Sequence, residues 1–157
     1  MKVSKDGYYK NKHSCYLLQY HLVLVTKYRH ACINECVKES LLEYTYKFFN
    51  KYKCIVLEIN TDKDHIHILF ESPPQINLAN FINAYKSGSS RNIRRTHQDF
   101  LRKFYWKPYF WSNSYFLATV SERSTKIVQK YIRSQGGWFA HSPPPDAMLS
   151  DGVLCAP

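Results

Sequence analysis

The 157-residue sequence holds no long hydrophobic run. The longest early one, Leu22 to Val25, falls far short of the ~20 apolar residues that cross a bilayer, and no stretch has the pattern of a secretory signal. A membrane span is therefore not expected. Acidic residues are scarce: 12 Asp+Glu stand against 22 Lys+Arg, a formal charge of +10. Such a balance points to a polyanionic partner, with nucleic acid the first candidate and an acidic membrane surface the second. The five cysteines (Cys15, Cys32, Cys36, Cys54, Cys155) are odd in number and lack C-x-x-C spacing. They read as buried or incidental reduced thiols of a cytoplasmic protein. Cys32 and Cys36 lie near His30, but a fourth ligand at zinc-finger spacing is missing.

What is present suits one folded domain: 45% hydrophobic residues, 16% aromatics and enough length to bury a core. Residues 1–13 are polar and lysine-rich and read as a flexible basic arm. Cys15 to Arg29, rich in β-branched and aromatic residues, predicts a long buried strand. From Cys36, apolar residues at Val37, Leu41, Leu42, Phe48 and Phe49 follow helical spacing. Cys54–Asn60 and the run TDKDHIHILF (Thr61–Phe70) predict a β-hairpin across the turn residues TDKD. A helix follows over about Asn77–Arg95, with Gly88 as a weak point and a possible end. A short helical segment, a fourth strand over Phe110–Ser121 and a last helix capped near Ser124 complete the order, with Gly136 as its stop signal. Residues 138–157, with Pro143 to Pro145, read as a loose tail after a domain of residues 14–137. The order is that of a ferredoxin-like split β-α-β fold: an α+β antiparallel sheet with helices on one face and a C-terminal helix added.

The histidine run carries the chemistry. Alternate strand residues share a face, so His65 and His67 project side by side while Ile66, Ile68 and Phe70 pack. Two imidazoles can be structural, and as metal ligands two hold a cation poorly. The last helix offers a third group: Tyr131 and Gln135 are four apart and share a helical face. Gln135 can give a carbonyl oxygen, and Tyr131 would hang one turn away. A tyrosine that attacks phosphorus later leaves as a phenoxide of pKa ~10, a better leaving group than an alkoxide. The link keeps the bond energy, so such a site suits rejoining rather than hydrolysis.

The stretches YHLVLVTKYRH (Tyr20–His30), TDKDHIHILFE (Thr61–Glu71), FINAYKSGSSRNIRR (Phe81–Arg95), FWSNSYFLATVS (Phe110–Ser121) and VQKYIRSQ (Val128–Gln135) in this order resemble the single-tyrosine HUH (His-hydrophobic-His) transposases of small bacterial and archaeal insertion sequences, the TnpA type. The resemblance spans about Ser14 to Gly136 and implies the HUH endonuclease fold. It implies His65, His67 and Gln135 as metal ligands, Mg²⁺ or Mn²⁺ as the cation, and Tyr131 as the nucleophile. Ligand softness alone favours zinc or manganese over magnesium. The resemblance further implies single-stranded DNA hairpins at element ends as partner, and a homodimer whose fourth strands join into one sheet. In such a dimer the tyrosine helix can complete the partner's histidine site.

Lys86 to Lys107 holds seven Lys/Arg and one acid, Asp99. Lys86, Ser90, Arg91, Arg94 and Arg95 are candidate phosphate contacts there, and Lys27, Tyr28 and Arg29 form a second candidate group. Tyr105, Trp106 and Tyr109 add stacking surfaces. Two other readings share the same residues: a domesticated HUH nuclease acting on host repeat palindromes, and a non-catalytic single-strand-binding module. Against the second, HIHILF lacks an RNP1-like pattern of exposed sheet aromatics. A metal hydrolase stands further off, because no larger His/Asp ligand set is evident.

Overall fold

The computed structural model describes residues 2–3, 8–10 and 12–134. Among these described residues seven strands and four α-helices follow one another: β1 (Lys2–Val3), β2 (Tyr9–Lys10), β3 (Cys15–Tyr16), β4 (Gln19–Val25), α1 (Glu35–Lys51), β5 (Ile55–Thr61), β6 (His65–Glu71), α2 (Leu78–Thr96), α3 (Gln98–Leu101), β7 (Phe116–Thr119) and α4 (Glu122–Ser134). The main sheet has the order β5-β6-β4-β7 and is antiparallel throughout. This is the ferredoxin-like arrangement expected, with the histidine strand β6 inside the sheet.

Period-two alternation divides the sheet into two chemically distinct faces. Leu22, Leu24, Ile66, Ile68 and Phe70 are wholly buried on one face, with Val37, Leu41 and Phe49 of α1 and Ile82 and Tyr85 of α2. Each of these helices starts on an asparagine whose side chain accepts a backbone N–H, Asn34 from Val37 and Asn77 from Asn80. The opposite face carries Leu69, against which Val128 and Ile132 of α4 pack. α4 therefore covers the face that bears the histidines.

Several boundaries differ from the sequence reading. The stretch expected as a flexible arm carries β1 and β2, which pair with β3 in a small antiparallel sheet. The expected long first strand is broken: β3 joins that small sheet, and β4 ends at Val25. Beyond it Thr26 bridges to Trp111, and Tyr28 and Arg29 turn the chain with φ of 60° and 53°. The fourth strand is reduced to four residues, because Phe110 and Trp111 turn into the core, where the Trp111 indole donates to Ser89 Oγ at 2.9 Å. α4 begins at Glu122, ahead of the Ser124 cap expected.

α2 runs straight through Gly88. A Cβ there would stand 1.9 Å from the Tyr44 hydroxyl, so the glycine serves a close approach of α1 rather than a helix end. Deeper in the same interface the Tyr85 and Thr45 hydroxyls bond at 2.6 Å, and Thr45 also donates to Leu41 O. Tyr85→Phe removes one buried bond and leaves Thr45 satisfied. The expected cost is about 1 kcal/mol, measurable as a lower urea midpoint with an unchanged slope.

Candidate active site and nucleic-acid surface

β6 places His65 and His67 on the α4 face with ring centroids 4.9 Å apart. Each ring is held through Nδ1. Asp64 Oδ1 lies 2.6 Å from His65 Nδ1, and Asp64 Oδ2 accepts from Arg29 Nε at 3.1 Å. The Nδ1 of His67 lies 3.1 Å from Nε2 of His21, a buried residue of β4. The register explains that contact. His21 faces Leu69 across the ladder and Val23 faces His67, so His21 is the diagonal neighbour of His67 on the same sheet face. With both Nδ1 atoms engaged, Nε2 is the ring nitrogen left to a ligand in each case. The His67 Nε2 is buried without a hydrogen-bond partner. Burial, with His21 and His65 adding to it, lowers the His67 pKa to about 3, and burial lowers that of His21 to about 4. Both rings are neutral at physiological pH, the form a metal ligand requires.

α4 is strongly one-sided, and its apolar stripe sets its rotation. Val128 and Ile132 are buried on Leu69, which turns Tyr131 toward the histidines. Its ring centroid lies 6.0 Å from that of His67, perpendicular at 89°. Polar clamps hold the helix along its length. Asn60 Nδ2 donates to Ile132 O at 2.8 Å, Arg133 pairs with Glu58 at 2.8 Å, and Thr125 donates to Gln19. Gln19 in turn donates to Glu71, which also accepts from Tyr9 of the small sheet. Partial burial raises the Tyr131 pKa, so the phenol is neutral at physiological pH. Gln135 lies outside the described residues.

The basic candidates converge from two segments. Lys27 Nζ stands 5.1 Å from the Tyr28 ring centroid and 5.5 Å from that of Tyr109. Tyr109 also lines a groove of about 360 Å³ with Lys86, Ser90, Trp111, Ser112 and Asn113. Lys86 Nζ donates to Asn113 O and lies over the Tyr115 ring, with burial lowering its pKa. Arg94 donates to Lys107 O and Tyr109 O at 3.1 and 3.2 Å, so part of its guanidinium braces the groove wall. Arg91 and Arg95 are exposed. Trp106 is 86% exposed with Lys107 Nζ over its ring.

The family model described as "Transposase IS200 like" matches residues 14–135. The chain belongs to the IS200-like transposase family. Among its relatives, the ISDra2 transposase TnpA of Deinococcus radiodurans is 31% identical over 126 residues, 80% of this chain and 89% of that one. The transposase for insertion sequence element IS200 of Salmonella typhimurium is 29% identical over 123 residues, 78% of this chain and 80% of the relative. A solved transposase structure from Deinococcus radiodurans superposes with a TM-score of 0.67 at 28% identity, covering 83% of this chain and 99% of that chain. A REP-associated tyrosine transposase, bound to a REP hairpin, shares the fold at 12% identity with a TM-score of 0.52 and covers 80% of this chain and 72% of its own. The resemblance to single-tyrosine HUH transposases and the HUH fold are thereby borne out, and the chain is a DNA-processing enzyme of that family.

In this IS200-like transposase the residues read from sequence fall into two groups in space. His65, His67 and Tyr131 meet beneath α4. Lys27, Tyr28, Lys86, Ser90 and Arg94 meet around Tyr109, while Arg29 sits between the groups through its pairing with Asp64. Sequence reasoning missed His21, because only the strand register brings it to His67. It also missed the double role of Asp64. Among the described residues no helix is long and apolar enough to cross a membrane.

Proposed function

We propose that this transposase cleaves and rejoins single-stranded DNA at insertion-sequence ends through a 5′-phosphotyrosine on Tyr131. The observation that carries the reading is the Tyr131 ring 6.0 Å from a His67 whose Nε2 is buried without a partner. A buried nitrogen lone pair facing no donor is costly unless a ligand meets it, and neutral imidazoles fit a divalent cation. His65 Nε2, His67 Nε2 and the side-chain carbonyl of Gln135 would hold Mg²⁺ or Mn²⁺. When bound, that ion supplies charge neutralisation at the non-bridging phosphate oxygens.

The chain's own residues do the remainder. Asp64 and His21 orient the two imidazoles. The α4 clamps aim the phenol. Tyr131 Oη forms a bond to phosphorus as the bond to the 3′ oxygen breaks, giving a protein–DNA link and a free 3′-OH. A 3′-OH from another strand end reverses the step, expelling Tyr131. Because the phenol is neutral at rest, its proton leaves as the bond to phosphorus forms. Incubation with a labelled hairpin oligonucleotide and Mg²⁺ should give a covalent adduct on a denaturing gel. A binding module would give none.

The basic groove around Tyr109 is the proposed path of the DNA backbone and of subterminal hairpins. If about six phosphates are neutralised, log affinity falls with log salt at a slope near −4 for single strands. Arg91→Ala and Arg95→Ala should each lower that slope by about 0.7. Arg94→Ala should weaken binding further than either, since it also releases the carbonyls of Lys107 and Tyr109. Equal slopes in all variants would remove this surface from the account.

The proposed assembly is a homodimer joined through β7. That strand is the sheet's outer edge next to β4, short but flanked by half-buried Tyr115. Sedimentation equilibrium should report twice the chain mass, and Leu117→Pro, which removes a backbone donor from the edge strand, should shift the species toward monomer.

A further inference from the structure

Asp64 can only accept the proton of His65 Nδ1, so that ring has one possible arrangement. The partner of His67 is different in kind. His21 can donate or accept, and the choice decides whether His67 is able to act as a ligand.

In one arrangement His67 Nδ1–H donates to His21 Nε2, and His67 Nε2 presents a lone pair. In the other, His21 Nε2–H donates to His67 Nδ1, and the neutral His67 must carry its proton on Nε2, where it blocks any cation. The rings lie stacked, centroids 5.3 Å apart and 18° from parallel, with the nitrogens 3.1 Å apart. His21 is only 6% exposed, so water does not compete for its Nε2. Phe116 of β7 closes on its other side, edge to face at 6.1 Å. Simple packing would be served by any flat apolar side chain, but only an acceptor at this point leaves His67 Nε2 bare.

We propose that His21 is a positioning residue that accepts the Nδ1 proton of His67 and so keeps His67 Nε2 available to the cation. The inference rests on the reading of His65 and His67 as ligands. It adds a residue on a different strand, β4, to the machinery of the site. It also explains the asymmetry of the pair. The more open His65 is oriented by a carboxylate that Arg29 shares, whereas the buried His67 is oriented by a neutral ring.

The test uses the full chain without DNA, and Mn²⁺ alone as the probe, followed by the electron-spin signal of free Mn²⁺. His21→Leu should weaken Mn²⁺ binding about 10- to 100-fold. His21→Gln, which restores an acceptor oxygen, should recover most of the loss. Long-range ¹H–¹⁵N spectra of the metal-free wild type should show His67 protonated on Nδ1 and bare on Nε2, a signature that packing alone would not fix. His67 protonated on Nε2, or a folded His21→Leu protein with wild-type Mn²⁺ affinity, overturns the proposal. If His21→Leu does not fold, the wild-type spectrum and the His21→Gln titration decide. The parent reading has its own control: His67→Ala with undiminished Mn²⁺ binding would show that the ligand assignment itself is wrong, whereas loss in His67→Ala without loss in His21→Leu would refute only the role of His21.

Discussion

Tyr131→Phe is expected to abolish the covalent protein–DNA adduct, a loss on the order of 10³-fold or more, while hairpin affinity stays within about twofold. The exchange removes one oxygen. The ring remains against His67, and the packing of Val128 and Ile132 on Leu69 is untouched. The proposed binding surface around Tyr109 lies on other elements, so it keeps its contacts. A denaturing gel and a filter-binding titration on the same preparation separate the two effects. Joint loss of both would mean that α4 is a binding element and not the carrier of the nucleophile.

His67→Ala should have the second-largest effect. It deletes the buried Nε2 and also leaves His21 facing a cavity in a closed sheet face. Loss of one positioned charge-stabilising group typically costs about 10²–10³ in rate, and raising Mn²⁺ concentration should recover part of it. His65→Ala should fall in the same range, with a further consequence for Arg29. Freed from its shared geometry, Asp64 would pair with Arg29 alone. DNA affinity in both variants should remain close to wild type, because neither ring belongs to the basic groove. If His67→Ala cleaves at the wild-type rate in limiting Mn²⁺, the histidine pair is structural.

Much of this site was legible in the chain because its signals are local. The H-x-H spacing places two rings on one strand face whatever the fold. The hydrophobic stripe of Val128 and Ile132 shows which side of the last helix is buried, and Tyr131 sits at its border. The basic groups at Lys27–Arg29 and Lys86–Arg95 were visible as charge. Their meeting at Tyr109 was not, since it depends on how the segment after α3 returns to the sheet. His21 was hidden for a related reason. Within its own strand it is one polar residue among Leu22, Val23 and Leu24, and only antiparallel register makes it a diagonal neighbour of His67. The strand ends were misjudged where side chains outweighed β-propensity. Phe110 and Trp111 look like strand residues but are used to fill the core beside Ser89. Gly88 reads as a helix breaker, yet here it makes room for the Tyr44 hydroxyl.

In the proposed reaction one phenol, beside a buried histidine pair, takes the phosphate. Protease digestion of the adduct formed on a labelled hairpin, followed by mass spectrometry of the DNA-bearing peptide, tests it directly. The expected product carries a nucleotide phosphate on the peptide that contains Tyr131 and on no other tyrosine. A phosphate on a different residue, or cleaved DNA with no protein attached, would contradict it.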